Sequence, residues 1–469
     1  MSKFAAPNEI IFQFTNIMSN NIDLKRGLDI PISGAAAQVT SKTIVPDVVA
    51  LKPTDFHGLV QRLLVREGDK VLAGSPVMSD KQSPDVLFTS PVSGTVEQIV
   101  RGDKRKLLEV RIKADETTSY LDFGVKNPQN MSDDEVKAHI LSSGLWPAII
   151  QRPYGIIANP QIQPKAIFIS AFSTAPLAAD NEYTLAGEFA NVQTGVNALA
   201  KLSKGGVHVC LNAKTVSSSP FHKIENAVLH TVSGKHPAGN VGVQISHIAP
   251  IQKGDTVWTV SLLFVAAIGR LFNQGKVDLT RKIAVVGPKA INPSYVEAVP
   301  GIAIKDLAGF YDNSANDLRF VSGDVLTGTS VGQNGFTGFF DDTVTLLHEG
   351  TEREILGWAK PFRFNQFSST RSYFSWLTPS KKYDMDTNVH GGPRAFVVSD
   401  VYGKVLPMDI FPVYLIKACL AGNIDDMEKF GIYEVLPEDL ALCEFVDPSK
   451  NDIQDIISKG IDKMLKEMA

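Results

Sequence analysis

The stretch from Val65 to Val110, VREGDKVLAGSPVMSDKQSPDVLFTSPVSGTVEQIVRGDKRKLLEV, constrains the fold of this chain more than any other. Glu67-Gly68-Asp69 and Arg101-Gly102-Asp103 repeat a Gly-Asp turn step, and Pro91-Val92-Ser93-Gly94 turns the chain between them. Glycine supplies the positive φ that such turns need, and aspartate tolerates their geometry. Val65, Val71, Val77, Val86, Phe88, Val92 and Val96 give strand-like spacing between the turns. Two short hairpin units related by rough repetition are expected, packed as a small β-sandwich.

That pattern is similar to the biotinyl/lipoyl-type sandwich. Carrier domains of that type present a lysine at the tip of the central hairpin, a position that falls here on Ser83 and Pro84. The nearest lysine, Lys81, lies on the strand side of the tip. The expectation is a carrier-like fold without an acceptor for a swinging arm, and its exposed tip, Lys81 to Asp85, is better tested as a contact for partners.

A chain of 469 residues leads one to expect about three domains. With 44% hydrophobic residues and a formal net charge of -4, it reads as a globular protein, and it lacks the basic excess of a nucleic-acid binder. The most apolar segment, Val257 to Gly269, is shorter than the roughly 20 residues that span a bilayer, so a buried helix is expected there. Cys210, Cys419 and Cys443 are far apart and odd in number, which gives neither a disulfide framework nor a self-contained zinc motif and fits a reducing compartment. Met1 to Ile17 has no basic start and no continuous apolar core, so it is not a signal peptide. It is expected as a disordered extension, with Met18 a plausible alternative start.

Residues 18 to 60 carry turn chemistry at Gly27, Pro31, Gly34, Pro46 and Pro53, so strands and loops are expected to lead into the sandwich. Ser132-Asp133-Asp134-Glu135 forms a capping box for a helix reaching Ser143. From there strands alternate with helical segments. Lys165 to Phe172 is a near-continuous apolar strand of the kind buried in a parallel sheet, a helix is expected over Asn181 to Leu202, and strands over Val207 to Asn212 and Glu225 to Val232. A Gly/Pro-rich loop, Ser233 to Gly242, closes this α/β layer. Residues 281 to 310 are similar to a soluble-ligand-binding β-grasp (SLBB) module, with strands continuing through Leu356 and a long turn over Thr327 to Gly338. The last hundred residues read as helical. Ser449 to Asp452 makes a second capping box, and Ile453, Ile456, Ile457, Ile461, Met464, Leu465 and Met468 line one helical face that needs a partner surface.

The expected class is therefore α/β and α+β, multidomain. The division is a disordered extension over 1–20, a biotinyl/lipoyl-like β-sandwich over 21–120, a Rossmann-like α/β domain over 130–255, a helix plus β-grasp (SLBB-like) domain over 256–360, and a helical C-terminal domain over 361–469.

With RGLDIPISG at 26–34, the REGDKV and SPVSGTV hairpins, HPAGNVG at 236–242, IGRLF at 268–272, VLTGT at 325–329 and LALCEFVDPSK at 440–450, the chain resembles the A-subunit family (NqrA) of the sodium-translocating NADH:quinone oxidoreductases. The resemblance runs from about Asn21 to the C-terminus. It implies a peripheral subunit on the cytoplasmic face of a bacterial inner membrane, in a translocase that passes electrons from NADH to quinone and exports sodium. It also implies that flavins, NADH and iron centres sit on the other subunits, NqrB to NqrF, and that this one is associated with the quinone-reducing end beside the membrane-embedded NqrB. Ubiquinone and menaquinone both remain open, and the chain is not expected to be catalytic alone.

Relatives with the same domain order, the C subunit of Rnf complexes and the flavin subunit of complex I, do carry cofactors, which makes a soluble flavin- or NADH-binding oxidoreductase the alternative reading. Where they place a Gly-rich phosphate loop, this chain has Ser143 to Pro153, with two prolines removing amide donors. A first iron–sulfur run aligned on Pro407 falls on Phe396, Ser399, Tyr402 and Leu406, none of which can replace a thiolate. A second, aligned on Pro448, falls on Pro437, Leu440, Cys443 and Asp447, so only Cys443 is left, and it is expected packed in a helix like the buried Cys210 and Cys419.

No catalytic residue and no metal ligand is expected: His222, His230 and His247 are scattered, and no HExxH, GxSxG or GxxxxGKS motif occurs. Trp146, Arg152 and His236 are candidates for contact with quinone or a partner. Against that reading, Trp146 is also expected as a core residue, Arg152 as a solvated one and His236 as a surface-loop histidine that can exchange a proton near neutral pH.

Overall fold

The computed structural model describes residues 18–351, 363–370, 373–397 and 400–468. Of the extension expected over 1–20, residues 1–17 lie outside the described residues, as do the strand end at Leu356 and the aligned position Ser399, while Met18 to Asn20 belong to a strand rather than to a disordered segment.

The hairpin stretch folds as two small sheets. One orders Val48–Leu51, Leu107–Ala114, Gly94–Arg101 and Lys70–Val71, and the other Gln61–Leu63, Pro76–Asp80 and Leu87–Thr89. Val49, Val77, Met78, Val96, Val110 and Ile112 are buried between them. Gly68 has the positive φ that its turn was expected to need, +92°. Gly102 does not: its φ is -97°, and the left-handed residues of that turn are Lys104 and Arg105. Gly102 meets a packing demand instead, since a Cβ there would lie 2.9 Å from the Leu108 side chain. Lys81, Gln82, Pro84 and Asp85 at the hairpin tip are exposed.

A seven-stranded sheet follows, in the order Met18–Asp23, Val228–Ser233, Val207–Asn212, Ile167–Ser170, Val257–Thr259, Ile150–Arg152 and Ile156–Ile157. The first five strands are parallel and the last two antiparallel. Residues 18–23 thus join this sheet at its edge rather than leading directly into the sandwich, because their backbone pairs in parallel with Val228–Ser233. Thr40–Thr43 is likewise an edge strand of a six-stranded sheet, next to Ser294–Ala298, Arg281–Val286, Thr343–His348, Leu318–Ser322 and Thr329–Ser330. That last strand lies inside the stretch expected as one long turn.

The capping box forms as expected. Ser132 Oγ accepts from the Glu135 amide, the Glu135 carboxylate accepts from the Ser132 amide, and the helix is Asp133–Ser143. The single helix expected over 181–202 is two, Asn181–Thr184 and Phe189–Ala200. Gly187, with φ +86°, interrupts it. The apolar run at 257–269 splits into the strand Val257–Thr259 and the helix Leu262–Gln274, of which Leu262 to Phe272 is buried throughout. It crosses Phe189–Ala200 at a distance only glycines permit: a Cβ on Gly269 would lie 1.7 Å from the Asn191 carbonyl oxygen, and one on Gly195 2.0 Å from that of Val265.

The C-terminal helices begin only at Val401, with Val401–Val405, Pro412–Ala421, Ile424–Phe430, Ala441–Val446 and Ile453–Met468. The described part of 363–400 forms no α-helix, its Pro, Gly and Ser content favouring turns. Ser449 does not cap the last helix as expected, because its hydroxyl donates to the Ala395 carbonyl. The Glu444 carboxylate accepts from the Gln454 amide in its place. The apolar face finds its partner within the chain: Ile453, Ile457, Ile461 and Met464 are buried in one core with Leu415, Ile416, Leu440 and Cys443.

Two buried histidines tie this packing to pH. Burial lowers the imidazoles of His139 and His230 from 6.5 to about 4, with Lys126 and His208, respectively, adding to the effect. The unfolded chain takes up protons near 6.5, so stability is complete above that pH and is lost as the pH falls toward 4. Each histidine is expected to remove about 1–2 kcal/mol between pH 7 and pH 5. Urea unfolding at both pH values should show a smaller loss for His139→Gln and His230→Gln than for the parent; equal losses would refute the assignment.

Candidate functional site

Arg152 ends the strand Ile150–Arg152 and is 1% exposed, the opposite of the solvated arginine expected from sequence. Its Nη1 donates to Asp439 Oδ2 at 2.8 Å and its Nη2 to Glu438 Oε1 at 2.7 Å. Burial works to lower the pKa of the guanidinium, but Asp439 and Glu438 beside it more than offset that and leave it raised. The acidic pair comes from the turn Pro437–Leu440, where the Asp439 carboxylate also accepts from the Leu436 amide at 3.1 Å.

The same carboxylate lies against the start of the helix Val241–Ile248. A Cβ on Gly242 would come within 2.2 Å of Asp439 Oδ2 and 2.4 Å of Arg152 Nη1. Asn240, at the cap of that helix, donates from its side chain to the Glu438 carbonyl at 3.1 Å. A helix start is where free amides and the helix dipole favour an anion. Here a protein carboxylate already occupies that ground, neutralised by Arg152.

His236 is 2% exposed, so it is a buried histidine rather than a surface one. Its amide donates to Asp29 Oδ1 at 3.0 Å, its Nδ1 lies 3.2 Å from Thr174 Oγ1, and its Nε2 is enclosed without a hydrogen-bond partner among the described residues. Burial holds the imidazole below its ordinary value, with Asp324 and Asp29 acting in the other direction. Gly27 allows the 26–34 loop to cover it: a Cβ there would meet the His236 carbonyl oxygen at 2.4 Å. The Gly/Pro loop also closes on the end of Ile167–Ser170 and the chain after it, where the Gly239 carbonyl accepts from Ser170 Oγ at 3.0 Å and the Gly239 amide donates to Thr174 Oγ1 at 2.9 Å.

Trp146 has no exposure. Its Nε1 donates to the Ala158 carbonyl at 2.7 Å and its ring meets Trp258 edge-on at 5.4 Å. It is the core residue that one of the two expectations described. Arg152 and His236 both feel the charge of Asp439, whereas Trp146 belongs to a separate core.

The two aligned iron–sulfur runs do converge. Tyr402, Leu406, Leu440, Cys443 and Asp447 are all buried. Tyr402 donates to Asp447 Oδ1 at 2.9 Å, and the Asp447 carboxylate also accepts from the amides of Ser449 and Asn451 and from Asn451 Nδ2. Burial works to raise the Asp447 carboxyl, but these four donors hold it below its ordinary value. Burial pushes the Cys443 thiol up, as it does those of Cys210 and Cys419, to about 12 in both. A thiolate is thus strongly disfavoured at each, and a cluster needs thiolates. Among the described residues no group of three or more His, Cys, Asp or Glu side chains is placed to hold a metal ion, and no helix is long and apolar enough to cross a membrane.

Sequence reading identified Arg152 and His236 but missed Glu438 and Asp439, whose partner lies 286 and 287 residues away. The usable signal was Gly242 in HPAGNVG, a glycine whose reason is the ion pair packed against it.

The barrel-like sandwich, the mixed sheets and the helical C-terminus define a mixed α/β multidomain protein. Residues 22–115 match the family model described as the NqrA N-terminal barrel-sandwich hybrid domain, and residues 131–277 that of the NqrA second alpha/beta domain. Curated relatives, each named as the A subunit of a Na(+)-translocating NADH-quinone reductase, include one from Rhodopirellula baltica, 35% identical over 95% of this chain and 98% of its own length. Others are from Yersinia pestis bv. Antiqua, 36% identical over 93% and 99%, and Histophilus somni, 35% identical over 95% and 100%. The chain belongs to the NqrA family, the A subunits of the Na(+)-translocating NADH-quinone reductases. Among solved structures, the air-oxidized NAD+-reducing [NiFe]-hydrogenase aligns over 47% of each chain at 13% identity and a TM-score of 0.34.

Proposed function

We propose that the chain serves as a docking subunit of the sodium-pumping NADH:quinone reductase, holding no flavin, nucleotide or iron–sulfur cluster of its own. It sits peripherally on the cytoplasmic face of the membrane, seats on NqrB at the quinone-reducing step, and leaves NADH, flavin and iron chemistry to the other subunits. One observation carries this: the stretch aligned with the relatives' phosphate loop, Ser143 to Pro153, packs the buried side chains of Trp146 and Arg152, and the aligned cysteine runs hold the Tyr402–Asp447 pair beside the buried Cys443. The parallel strand order around Ile167–Ser170 supports a Rossmann-like reading of residues 130–255. The sandwich over 21–120 lends residues 21–23 to the seven-stranded sheet and Thr40–Thr43 to the six-stranded one, and with an SLBB-like β-grasp over 256–360 and the helical domain over 361–469 it completes the division. In this reading Trp146, Arg152 and His236 hold the layers together beside the partner interface.

The test is the visible absorption spectrum of the purified chain together with NADH:quinone reductase activity of membranes lacking it. The expected result is no flavin or iron–sulfur band, and activity restored by adding the chain. Stoichiometric bands of either kind overturn the proposal in favour of a soluble flavin- or NADH-binding oxidoreductase.

A further inference from the structure

An open groove of about 490 Å³ runs between the loop Ile251–Lys253 and the C-terminal helices. Phe411 and Phe430 line it, and Tyr414 extends their aromatic face beside it. Tyr414 and Phe430 have centroids 5.4 Å apart, and Phe411 lies 6.2 Å from Phe430 and 6.5 Å from Tyr414. Phe411 is 60% exposed and Tyr414 55%, while the helix that bears Tyr414 buries Leu415, Ile416 and Ala418 on its other side. Large rings left to water on a helix whose inner face is already satisfied mark a contact surface.

The charges beside these rings are unbalanced. Asp409, Asp425, Glu428 and Glu434 line the groove with Lys253 and Lys429. Lys253 is used up by Glu428, which it contacts at 2.8 and 2.9 Å, and Tyr433 donates to the same carboxylate at 2.6 Å. Lys429 lies over the Phe430 ring, and Lys417, on the outer face of the Tyr414 helix, over Phe396. Asp409, Asp425 and Glu434 have no ion-pair partner among the described residues. Burial and the charge of Asp409 both push the half-buried Glu434 carboxyl up. Asp409 and Glu434 thus line one groove beside exposed aromatic rings, and neither is in an ion pair among the described residues.

We infer that this groove docks an arginine-bearing basic segment of a membrane-embedded subunit of the same complex, a guanidinium lying between the Phe411, Tyr414 and Phe430 rings and the carboxylates of Asp409 and Glu434. Arginine is the side chain that satisfies both sets of groups, since its plane stacks on aromatic faces and its fork pairs with carboxylates. Segments of membrane proteins that flank their spans on the cytoplasmic side carry an excess of Lys and Arg, which complements the three uncompensated acids. The same acids repel the anionic headgroups of a bilayer, so a protein partner is favoured over lipid. The existence of a membrane-embedded partner rests on the function proposed above.

The test uses the full chain in the assembled complex, with the photoreactive residue p-benzoylphenylalanine at position 414, and the same residue at Val125, 70% exposed, as the control. Irradiation is expected to link position 414, and not position 125, to an arginine-containing peptide of a membrane-embedded subunit. Asp409→Lys with Glu434→Lys should reduce retention on membranes at least about tenfold, the equivalent of about 1.4 kcal/mol. Adducts from position 414 only to lipid, only to a second copy of this chain, or to nothing overturn the inference. If reductase activity still depends on the chain in that case, the groove assignment alone has failed. If it does not, the docking function has failed with it.

Discussion

Replacing Arg152 by methionine should destabilise the folded protein by about 3–5 kcal/mol, the usual cost of leaving a buried charge without its partner. Asp439 is fully buried, and its hydrogen bonds come from Arg152 Nη1 and the Leu436 amide. Methionine keeps much of the volume but gives the carboxylate nothing to pair with. Equilibrium unfolding in urea, followed by far-UV circular dichroism, measures the loss. Adding Asp439→Leu should recover most of it, because an apolar replacement of both partners removes the desolvation penalty along with the attraction. Gly242→Ala should act on the same contact from the other side, since its methyl group would push between the guanidinium and the carboxylate. A variant Arg152→Met as stable as the parent would show that the pair holds nothing together.

Trp146→Ala carries a loss of similar size, about 3–5 kcal/mol. The indole is fully buried, packs on Trp258 and donates to Ala158, so truncation leaves a cavity and an unsatisfied carbonyl together. Trp146→Phe separates the two effects, filling most of the space while still removing the donor, and should cost about 1–3 kcal/mol. Because the ring has no exposed surface, the consequence for a reductase complex runs through the amount of folded subunit. Variant complexes that do assemble should keep the parent's KM for quinone, and a raised KM with unchanged stability would restore Trp146 as a contact residue.

Both predictions concern residues with two readings from sequence, and the fold agrees with the core reading of Trp146 and differs from the solvated reading of Arg152. A Trp-Pro and an Arg-Pro in a stretch that replaces a glycine-rich loop invite a functional reading. The fold turns one into core and the other into a clasp between the seven-stranded sheet and the C-terminal helices. His236 changed in the same way: a histidine in a Gly/Pro loop looks exposed until the 26–34 loop covers it, and Gly27 permits that approach only because it has no Cβ. The two aligned cysteine runs meet in the fold through Tyr402 and Asp447. That Tyr402 and Asp447, one from each run, would bond to each other was not readable from either.

By itself, the sequence determined features whose physics is local. The capping box at Ser132 and Glu135 needs only two side chains within one helical turn, and the strand Val207–Asn212 follows from the apolarity of its own residues, as does a buried helix in the run from Val257, though not its start at Leu262. The spacing of Ile453, Ile457, Ile461 and Met464 was enough to mark a buried face, and the turns around Gly68 and Pro91 were enough to mark a sandwich. Tertiary structure alone decided where residues 18–23 and 40–43 pair, because an edge strand's backbone groups accept any extended partner and sequence does not say which edge lies nearest. It also decided that Arg152 is buried. A guanidinium can lose its water only where acceptors are waiting, and the acceptors here, the Glu438 and Asp439 carboxylates, are far along the chain and reach it only once the helices have packed.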